Sequence, residues 1–459
     1  MIINKPLPKG RVWQFPTELE DAFDGVEDIG YGPRWMGAKI RNADSHIELG
    51  GPKNGYKSYL FTEVVENEND IVDGKFELIG PDIQEVPPGS SFPVGIYYRI
   101  WGPLLTDEYV EYLEREKIQI GWDHIEHLML INARNTIWIR VGKGVADRLS
   151  FAKVNQIVYA CMKTTFPLIK KVEIQMIVGA PEVGGQKLVE GIQKECEREW
   201  DIVDAKYLGI DDEDVDNFYG CVICQTFAPN HMCVITPNRL PYCGILSYNG
   251  AKITMQADPH GYVCKIPKGN CLNEKLGIYD EVNRAVYNKS NQTVKKVSLY
   301  SSIKYPQTNC GCFECASFYI PDLDAMGVVS RGYFGDTPLG IPFAKMAAIM
   351  SGGSQNNGFM GTSVRAIRMK RFLQGDGGWN RVVWVDKELK VQVADAIPEE
   401  LYDKIATEED ALDIDQVKQF LVEKKHPITE KYWKMGEPVM MTLPGPGEDW
   451  PDADIAEEA

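Results

Sequence analysis

The spacing of the cysteines constrains this chain more than any other feature of its sequence. One run has the pattern C-x2-C-x8-C-x9-C, formed by Cys221, Cys224, Cys233 and Cys243. Four thiolates in so short a segment are enough to hold a cubane iron–sulfur cluster or a zinc ion. A second motif, the tripeptide Cys310-Gly311-Cys312, follows later in the chain. The two motifs together predict a composite metal site carried on turn-rich segments.

The Cys-Gly-Cys tripeptide is a different kind of ligand from the four-cysteine run. Its two thiolates, with two backbone amides between them, can offer one metal a planar S-N-N-S set. Square-planar coordination by nitrogen and sulfur favours Ni(II) or Cu(II), whereas zinc prefers a tetrahedron. Gly311 suits this role because it has no Cβ, so the chain can turn sharply and approach the metal closely. The tripeptide therefore favours nickel beside an iron–sulfur cluster.

Two other interpretations of the cysteines stay open at this point. A C-x2-C pair followed by two more cysteines is also typical of a structural zinc site, which would make the chain a zinc-stabilised scaffold. Alternatively, the four-cysteine run alone would serve an iron–sulfur electron-transfer subunit. Cys-Gly-Cys would then be incidental, since the chain contains 11 cysteines and 42 glycines. Zinc ribbons use two symmetric knuckles, however, and the x8 and x9 gaps do not give that pattern.

The residues around both motifs resemble acetyl-CoA synthase, the acetyl-forming component of the carbon monoxide dehydrogenase/acetyl-CoA synthase complex. The resemblance lies in residues 217–250, in Asn309–Cys315 and in the spacing between them, and it extends over most of the chain to about Pro444. It implies an acyltransferase that combines a methyl group, carbon monoxide and coenzyme A into acetyl-CoA, reversibly. The implied partners are a carbon monoxide dehydrogenase subunit and a methylated corrinoid iron–sulfur protein. The implied cofactors are one [4Fe-4S] cluster and two nickel ions.

The resemblance also implies a role for each site residue. The four cysteines of the run would hold the [4Fe-4S] cluster, and Cys224 would also bridge to a proximal nickel. Cys310 and Cys312 would bridge the two nickel ions, and the backbone nitrogens of Gly311 and Cys312 would complete the square plane of the distal one. Phe227 would shield the proximal nickel, as a phenylalanine at this place does in the family.

One departure from the bacterial members of that family affects the expected partners. Those enzymes carry an additional large N-terminal domain that docks on carbon monoxide dehydrogenase. Only about 220 residues precede Cys221 in this sequence. We therefore expect a compact form without that domain, similar to the archaeal beta subunit of the acetyl-CoA decarbonylase/synthase complex.

A basic stretch is the candidate for binding coenzyme A. It contains Arg134, Arg140, Lys143 and Arg148. A strand is predicted at 136–141, with alternate residues facing the core and Trp138 sharing the other face with Arg140. An aromatic ring beside guanidinium groups suits an adenine ring and its phosphates, and the family uses coenzyme A. The alternative is a solvated charged edge with a half-buried tryptophan.

Composition excludes several classes of protein. The 459 residues are 44% hydrophobic and 25% charged, which predicts an ordinary soluble globular protein. A net charge of −17 argues against nucleic acid as a partner. We find no apolar run long enough for a membrane span and no apolar segment of a signal peptide. An odd number of cysteines, several too close together to pair, predicts a reduced cytoplasm.

Periodicity predicts a mixed α/β fold with more than one domain. We place a coenzyme A or partner-binding domain at 1–204, a cluster-binding domain at 205–440 and an acidic tail at 441–459. Predicted strands lie at 57–65, 94–101, 136–141 and 172–178, and predicted helices at 148–163, 186–199 and 415–425. Residues 382–385 and 389–393 are predicted to form a strand pair. Three further cysteines are expected to be buried thiols and not ligands: Cys161, Cys196 and Cys315.

Overall fold

The computed structural model describes residues 7–17, 42–51, 54–123, 129–205, 209–226, 228–439, 441–445 and 450. The chain divides into two compact units, Met1–Gly209 and Ile210–Ala459. Helices and several sheets are mixed in both, so the predicted α/β class is confirmed. Of the predicted tail, residues 446–449 and 451–459 lie outside the described residues. The roles predicted for the individual domains stay predictions.

The described part of the first unit contains two sheets. The five-stranded sheet has the order β1-β4-β9-β6-β3, and the four-stranded sheet has the order β5-β2-β8-β7. The strands are β1 (Arg11–Gln14), β2 (Ser45–Gly50), β3 (Ser58–Val64), β4 (Lys75–Ile79), β5 (Ser90–Phe92), β6 (Val94–Trp101), β7 (Met129–Ala133), β8 (Thr136–Gly142) and β9 (Lys171–Val178). The four strands predicted here are thus confirmed to within a residue at each end.

Helices cover the sheets of this unit. They are α1 (Val110–Tyr112), which continues through a π-helical stretch (Leu113–Ile118) into α2 (Gln119–Asp123), then α3 (Phe151–Thr165) and α4 (Gly185–Ala205). α3 begins where the side chain of Ser150 accepts a hydrogen bond from the backbone N–H of Lys153, which caps the helix. α4 buries Val189, Ile192 and Cys196 against side chains of β3, β6 and β9. Both predicted helices are confirmed, and Cys196 is a buried core thiol as expected.

The described part of the second unit contains three sheets, with the orders β11-β10-β12, β13-β14 and β17-β15-β16-β18. β10, β11 and β12 are antiparallel, whereas β18 runs parallel to β16. The strands are β10 (Asn217–Cys221), β11 (Cys233–Ile235), β12 (Val263–Pro267), β13 (Cys271–Asn273), β14 (Ile278–Tyr279), β15 (Cys315–Ile320), β16 (Ala325–Ser330), β17 (Phe359–Thr362) and β18 (Val382–Val385).

The described helices of the second unit are α5 (Tyr248–Ala257), α6 (Asp280–Lys289), α7 (Phe343–Met350), α8 (Val364–Ile367), α9 (Lys387–Gln392), α10 (Glu399–Tyr402), α11 (Ile414–Glu423) and α12 (Ile428–Lys431).

One predicted element of this unit is wrong. Residues 389–393, predicted as a strand, belong to α9 and its C-terminal end. The side chain of Asp386 accepts a hydrogen bond from the N–H of Leu389 and starts a helix that leaves Val391 exposed. The predicted helix at 415–425 is confirmed as α11.

No helix among the described residues is long and apolar enough to cross a membrane. The principal core of the second unit surrounds the sheet β17-β15-β16-β18 and includes Phe318 and Trp384. Cys233 and Cys310 are buried in this core, and the other cysteines of both motifs, apart from Cys243, pack partly buried against it. Both cysteine motifs therefore pack against the core of this unit.

The turn at 351–354, after α7, lies between the two cysteine segments. The N–H of Gly353 donates to the carbonyl of Asn309, and the N–H of Asn309 donates to the carbonyl of Ser354 (2.8 and 3.1 Å). On its other side, a Cβ at Gly353 would lie 3.1 Å from the backbone nitrogen of Asn230. Gly353 also has a φ of +86°, in the region that favours glycine. Only glycine at position 353 thus allows the turn to lie this close to both segments.

We expect Gly353→Ala to destabilise the second unit more than Gly352→Ala does. Both glycines have positive φ, so an alanine at either position costs about 1–2 kcal/mol. Only position 353 adds a steric conflict, worth about 1–3 kcal/mol, because a Cβ at 352 would have no heavy atom within 4 Å. Chemical denaturation of both variants measures the difference, and equal losses of unfolding free energy would contradict close contact at 353.

Candidate metal centre

The first three cysteines of the four-cysteine run lie on an antiparallel strand pair and the turn that leaves it. Cys221 at the end of β10 is the cross-strand partner of Cys233 at the start of β11. Directly opposed residues in such a pair have Cβ atoms about 4.5–5.5 Å apart. Cys224 follows on a turn of 3-10 helix (Ile223–Thr226), and its carbonyl accepts a hydrogen bond from the N–H of Ala228. Phe227, the predicted shield, lies outside the described residues.

Cys243 reaches the same region from a tight turn. The N–H of Gly244 donates to the carbonyl of Pro241, and Gly244 has a φ of +64°. Nη1 of Arg365 donates to the carbonyl of Gly244 at 2.8 Å, which fixes the turn beside Cys243. Burial, and then the nearby Cys243 thiol, raise the pKa of Cys233 to about 12. The third and fourth cysteines of the run are therefore close enough to influence each other electrostatically.

The Cys-Gly-Cys segment closes on Cys224 of the run. The N–H of Cys312 donates to Sγ of Cys310 at 3.3 Å, so the tripeptide is tightly curled. Gly311 has a φ of +106°, and a Cβ there would lie 3.2 Å from Cβ of Ser351. The thiol of Cys224 is hydrogen-bonded with the thiols of Cys310 and Cys312, and these bonds together with burial raise its pKa well above the ordinary value. The structure thus brings three predicted nickel ligands into mutual contact.

The residues that precede Cys310 connect the cysteine segments to one another. We call Gln307, Thr308 and Asn309 the hub; their relative exposures are 0%, 2% and 0%. Oε1 of Gln307 accepts a hydrogen bond from the N–H of Val234 on β11, and its carbonyl accepts one from the hydroxyl of Tyr242. Oδ1 of Asn309 accepts a hydrogen bond from the N–H of Gly361 on β17 at 2.7 Å. The hub therefore fixes Cys310 relative to Cys233 and Cys243.

His231 joins the hub to a predicted cluster ligand. Its Nδ1 lies 3.0 Å from Oγ1 of Thr308, and its Nε2 lies 3.1 Å from Sγ of Cys233. Complete burial lowers the pKa of His231 to about 4, so the ring is neutral near pH 7. Which ring nitrogen donates depends on the tautomer, and a metal-bound thiolate at Cys233, which can only accept, would select the proton on Nε2.

Arg331 holds the other side of the tripeptide. It follows β16, opposite Glu314, whose carbonyl accepts a hydrogen bond from the N–H of Arg331. Its Nη2 donates to the carbonyl of Gly311 at 2.8 Å and to that of Phe313 at 2.7 Å, and Nε donates to the latter at 3.0 Å. The guanidinium thus bridges the carbonyls of Gly311 and Phe313, the residues on either side of Cys312.

The donor types at this site fit soft metals. Thiolates are the ligands of iron–sulfur clusters and suit nickel in square-planar N/S sites. Buried thiols have raised pKa values, so a metal that replaces their protons relieves the cost of ionisation. In the described part of the chain, however, no group of three or more histidine, cysteine, aspartate or glutamate side chains is arranged so that it could hold a metal ion. A metal centre is therefore supported by the donor chemistry of the thiols and by their closeness to one another. It is not supported by side chains already arranged around a metal position.

The predicted coenzyme A residues lie in the first unit, and the structure brings two of them together. Arg140 and Trp138 share a face of β8, with the guanidinium carbon 4.3 Å from the ring centroid. Ile137, Ile139 and Val141 occupy the opposite, buried face, as predicted. Arg140 is also buried, because Nε and Nη2 both bind Oε2 of Glu48 on the neighbouring strand at 2.8 Å. This guanidinium is already charge-compensated within the unit.

The other basic candidates differ in exposure. Arg134 is buried, and its guanidinium binds Glu111 at 3.0 Å and Asp204 at 3.2 Å. Lys143 and Arg148 are exposed after β8, where Nζ of Lys143 donates to the carbonyl of Ala43. Among the five predicted residues, the two on this exposed turn are thus the cations that a phosphate can reach without breaking a buried ion pair.

The residues that connect the site have weak signals in the sequence. The hub is a polar run directly before Cys310, and a run of that kind next to a ligand is a usable signal of buried hydrogen bonds. His231, two residues before Cys233, is also close enough to a predicted ligand to be a candidate. Arg331 has no local signal, because its contact with Gly311 depends on the pairing of β15 with β16.

Comparison with known proteins gives two family models and several long relatives. A family model for the C-terminal part of the ACS/CODH beta subunit matches residues 200–433, and one described as CO dehydrogenase/acetyl-CoA synthase complex beta subunit matches residues 28–183. The chain is 44% identical over 413 residues to the acetyl-CoA decarbonylase/synthase complex subunit beta 2 of Methanocaldococcus jannaschii, covering 89% of this chain and 84% of that one. It is 40% identical over 406 residues to the corresponding subunit beta of Methanopyrus kandleri, covering 88% and 85%.

Among solved structures, the C-terminal domain of an acetyl-coenzyme A synthase alpha subunit matches 26% of this chain and 94% of that one. It is 34% identical, and its TM-score of 0.24 is too low to support any statement about the fold. The two family models and the long relatives confirm the resemblance carried by the cysteine motifs. The chain therefore belongs to the family of the CO dehydrogenase/acetyl-CoA synthase complex beta subunit.

Proposed function

We propose that this chain is an acyltransferase that makes and cleaves acetyl-CoA. It joins a methyl group from a methylated corrinoid iron–sulfur protein to the carbon of carbon monoxide, and the sulfur of coenzyme A takes the acetyl group as a thioester. The contact of the Cys224 thiol with Cys310 and Cys312 carries the proposal, because it unites the two cysteine motifs at one place. Membership of a family whose relatives are named as acetyl-CoA decarbonylase/synthase subunits supports it.

The cofactor proposal assigns each cysteine a ligand role. Cys221, Cys224, Cys233 and Cys243 would hold a [4Fe-4S] cluster. Cys224, Cys310 and Cys312 would hold a proximal nickel, and Cys310, Cys312 and the nitrogens of Gly311 and Cys312 a distal one. When bound, this group supplies a reduced metal that accepts the methyl group and carbon monoxide.

The protein's own contribution is orientation and exclusion of water. The hub holds Cys310 against β11 through buried hydrogen bonds, so the tripeptide and the four-cysteine run keep a fixed relation. Apolar side chains of the principal core enclose Cys233 and Cys310, which limits the access of water to the reacting groups. Phe227, by its place after Cys224, would restrict the open side of the proximal nickel.

For coenzyme A we propose a site on the first unit around β8. Trp138 supplies an aromatic face, and the exposed Lys143 and Arg148 supply charge for the phosphates. Arg134 and Arg140 would act indirectly, because their guanidinium groups bind Glu111 and Glu48. The stacking of Arg140 on Trp138 would then set the orientation of the indole ring.

The proposed partners follow from the reaction. They are a carbon monoxide dehydrogenase subunit and the corrinoid iron–sulfur protein that donates the methyl group. The net charge of −17 disfavours nucleic acid. Thiols of this number and spacing suit a reducing cytoplasm, which we propose as the compartment.

Metal analysis of protein purified without oxygen tests the function against its two alternatives. We expect about four iron and about two nickel per chain, because the proposed donor set holds a cubane and two nickel ions. Iron without nickel would instead indicate the electron-transfer subunit. Zinc without iron would indicate the scaffold.

Serine variants of the cysteines separate the ligand roles. We expect Cys310→Ser to lose most of the nickel and all acetyl-CoA synthesis while it keeps most of the iron, because the proposed cubane ligands lie elsewhere. Cys221→Ser should lose iron and unfold more easily, since cluster binding and folding are coupled. The matched control is Cys315→Ser, a fully buried thiol nearby that we assign to packing. Acetyl-CoA synthesis by Cys310→Ser, or nickel loss in the control equal to that in Cys310→Ser, would refute the assignment.

The coenzyme A site is tested on the exposed turn. Each charge-assisted phosphate contact is worth about 1.5–3 kcal/mol, so Lys143→Ala with Arg148→Ala should weaken coenzyme A binding by about tenfold or more. Methyl transfer from the corrinoid protein should be nearly unchanged, because that step does not use coenzyme A. Equilibrium dialysis gives the dissociation constant, and the exposed Lys194→Ala in the same unit is the control. Unchanged binding in the double variant would place the site elsewhere.

A further inference from the structure

Within the described residues, Arg331 is a partly buried cation whose guanidinium is not ion-paired to a carboxylate. In the described ranges of the chain, no aspartate or glutamate forms an ion pair with its guanidinium. Other arginines of the same unit, Arg371 and Arg381, are paired with Glu213 and Asp324. The carboxylate of Glu314 is near enough to interact electrostatically with this guanidinium, but the two form no ion pair. The hydrogen bonds of its guanidinium go to the carbonyls of Gly311 and Phe313.

The carbonyl of Gly311 belongs to the same peptide group as the nitrogen of Cys312. Resonance delocalises charge across that group, so negative charge on the nitrogen appears partly on the carbonyl oxygen. In the proposed distal site, each peptide nitrogen gives its proton to solvent as it binds nickel(II), and no oxidation state changes. Two thiolates and two such nitrogens carry more negative charge than nickel(II) offsets, so a net negative charge remains. A guanidinium 2.8 Å from the Gly311 oxygen is placed to compensate it.

We propose that Arg331 is a positioning residue that strengthens nickel binding by the Cys-Gly-Cys tripeptide. It clamps the carbonyls on both sides of Cys312, which fixes the plane of the Gly311–Cys312 peptide, and its charge offsets that of the metal–amide set. The ligand set would thus be the anion that this guanidinium contacts directly through a hydrogen bond. This inference rests on the proposed function, since it assumes that the tripeptide holds nickel.

The test measures nickel(II) affinity and not turnover. The full chain is reconstituted with iron and sulfide without oxygen, stripped of nickel and titrated with nickel(II) against a competing chelator. We expect Arg331→Met to bind nickel about 10- to 100-fold more weakly, the usual effect of losing a residue that orients metal ligands. Arg331→Lys should lie between, because lysine keeps the charge but cannot span both carbonyls. The visible absorption of square-planar Ni(II) should weaken in parallel.

Arg368→Met is the control, because Arg368 also donates to a carbonyl, that of Gln392, and its ion pair is with Asp395 and not with a cysteine motif. It should keep the nickel affinity of the wild type. If Arg331→Met does not fold, Arg331→Lys decides: weaker nickel binding supports the proposal and unchanged binding overturns it. Nickel bound equally tightly by wild type and a folded Arg331→Met would overturn the role of Arg331 alone. A wild type that takes up no nickel would overturn the proposed function as well.

Discussion

The buried hydrogen bonds of Gln307, Thr308 and Asn309 are the constraint on which the site depends. These polar groups lie inside an apolar core, where an unpaired donor or acceptor costs about 1–3 kcal/mol, so any arrangement that breaks their bonds is disfavoured. Their partners lie on β11, in the Tyr242 turn, at His231 and on β17. Satisfying all of these bonds at once defines one position for Cys310, and hence for the tripeptide that it begins.

The backbone around the hub is shaped by a few glycines at which close contact is unavoidable. Gly353 lets the turn after α7 bond with Asn309 while it lies against the segment that contains His231. Gly311 gives the tripeptide its curl, with the N–H of Cys312 directed at Sγ of Cys310. At both positions φ is positive and another atom lies close to where a Cβ would be. Backbone conformation and packing therefore both require glycine. The thiols are thus positioned by a scaffold that the cysteines themselves do not provide.

The buried and partly buried arginines near the two proposed sites have different partners. In the first unit, Arg134 and Arg140 neutralise buried carboxylates, which removes them from any direct contact with a soluble phosphate. In the second unit, Arg331 has backbone carbonyls as partners and no paired acid among the described residues, so its charge is directed at the tripeptide. A buried cation paired to an acid contributes to the structure of its unit. We propose that a cation held against a ligand set contributes instead to what that set binds.

The sequence by itself determined the family, predicted a soft-metal site, and gave four strands and two helices of the first unit. Thiolate spacing and the Cys-Gly-Cys motif depend on local chemistry, and a strand such as β9 follows from alternating apolar residues, so neither needs knowledge of distant contacts. The strand predicted at 389–393 failed because the capping hydrogen bond that Asp386 accepts from the N–H of Leu389 outweighed a short apolar alternation. The burial of Arg140 could not be predicted, because its partner Glu48 lies on a strand far away in sequence. The contact of Cys224 with Cys310, the hub and the clamp by Arg331 were decided only by the tertiary structure, because each joins segments that only strand pairing and core packing bring together.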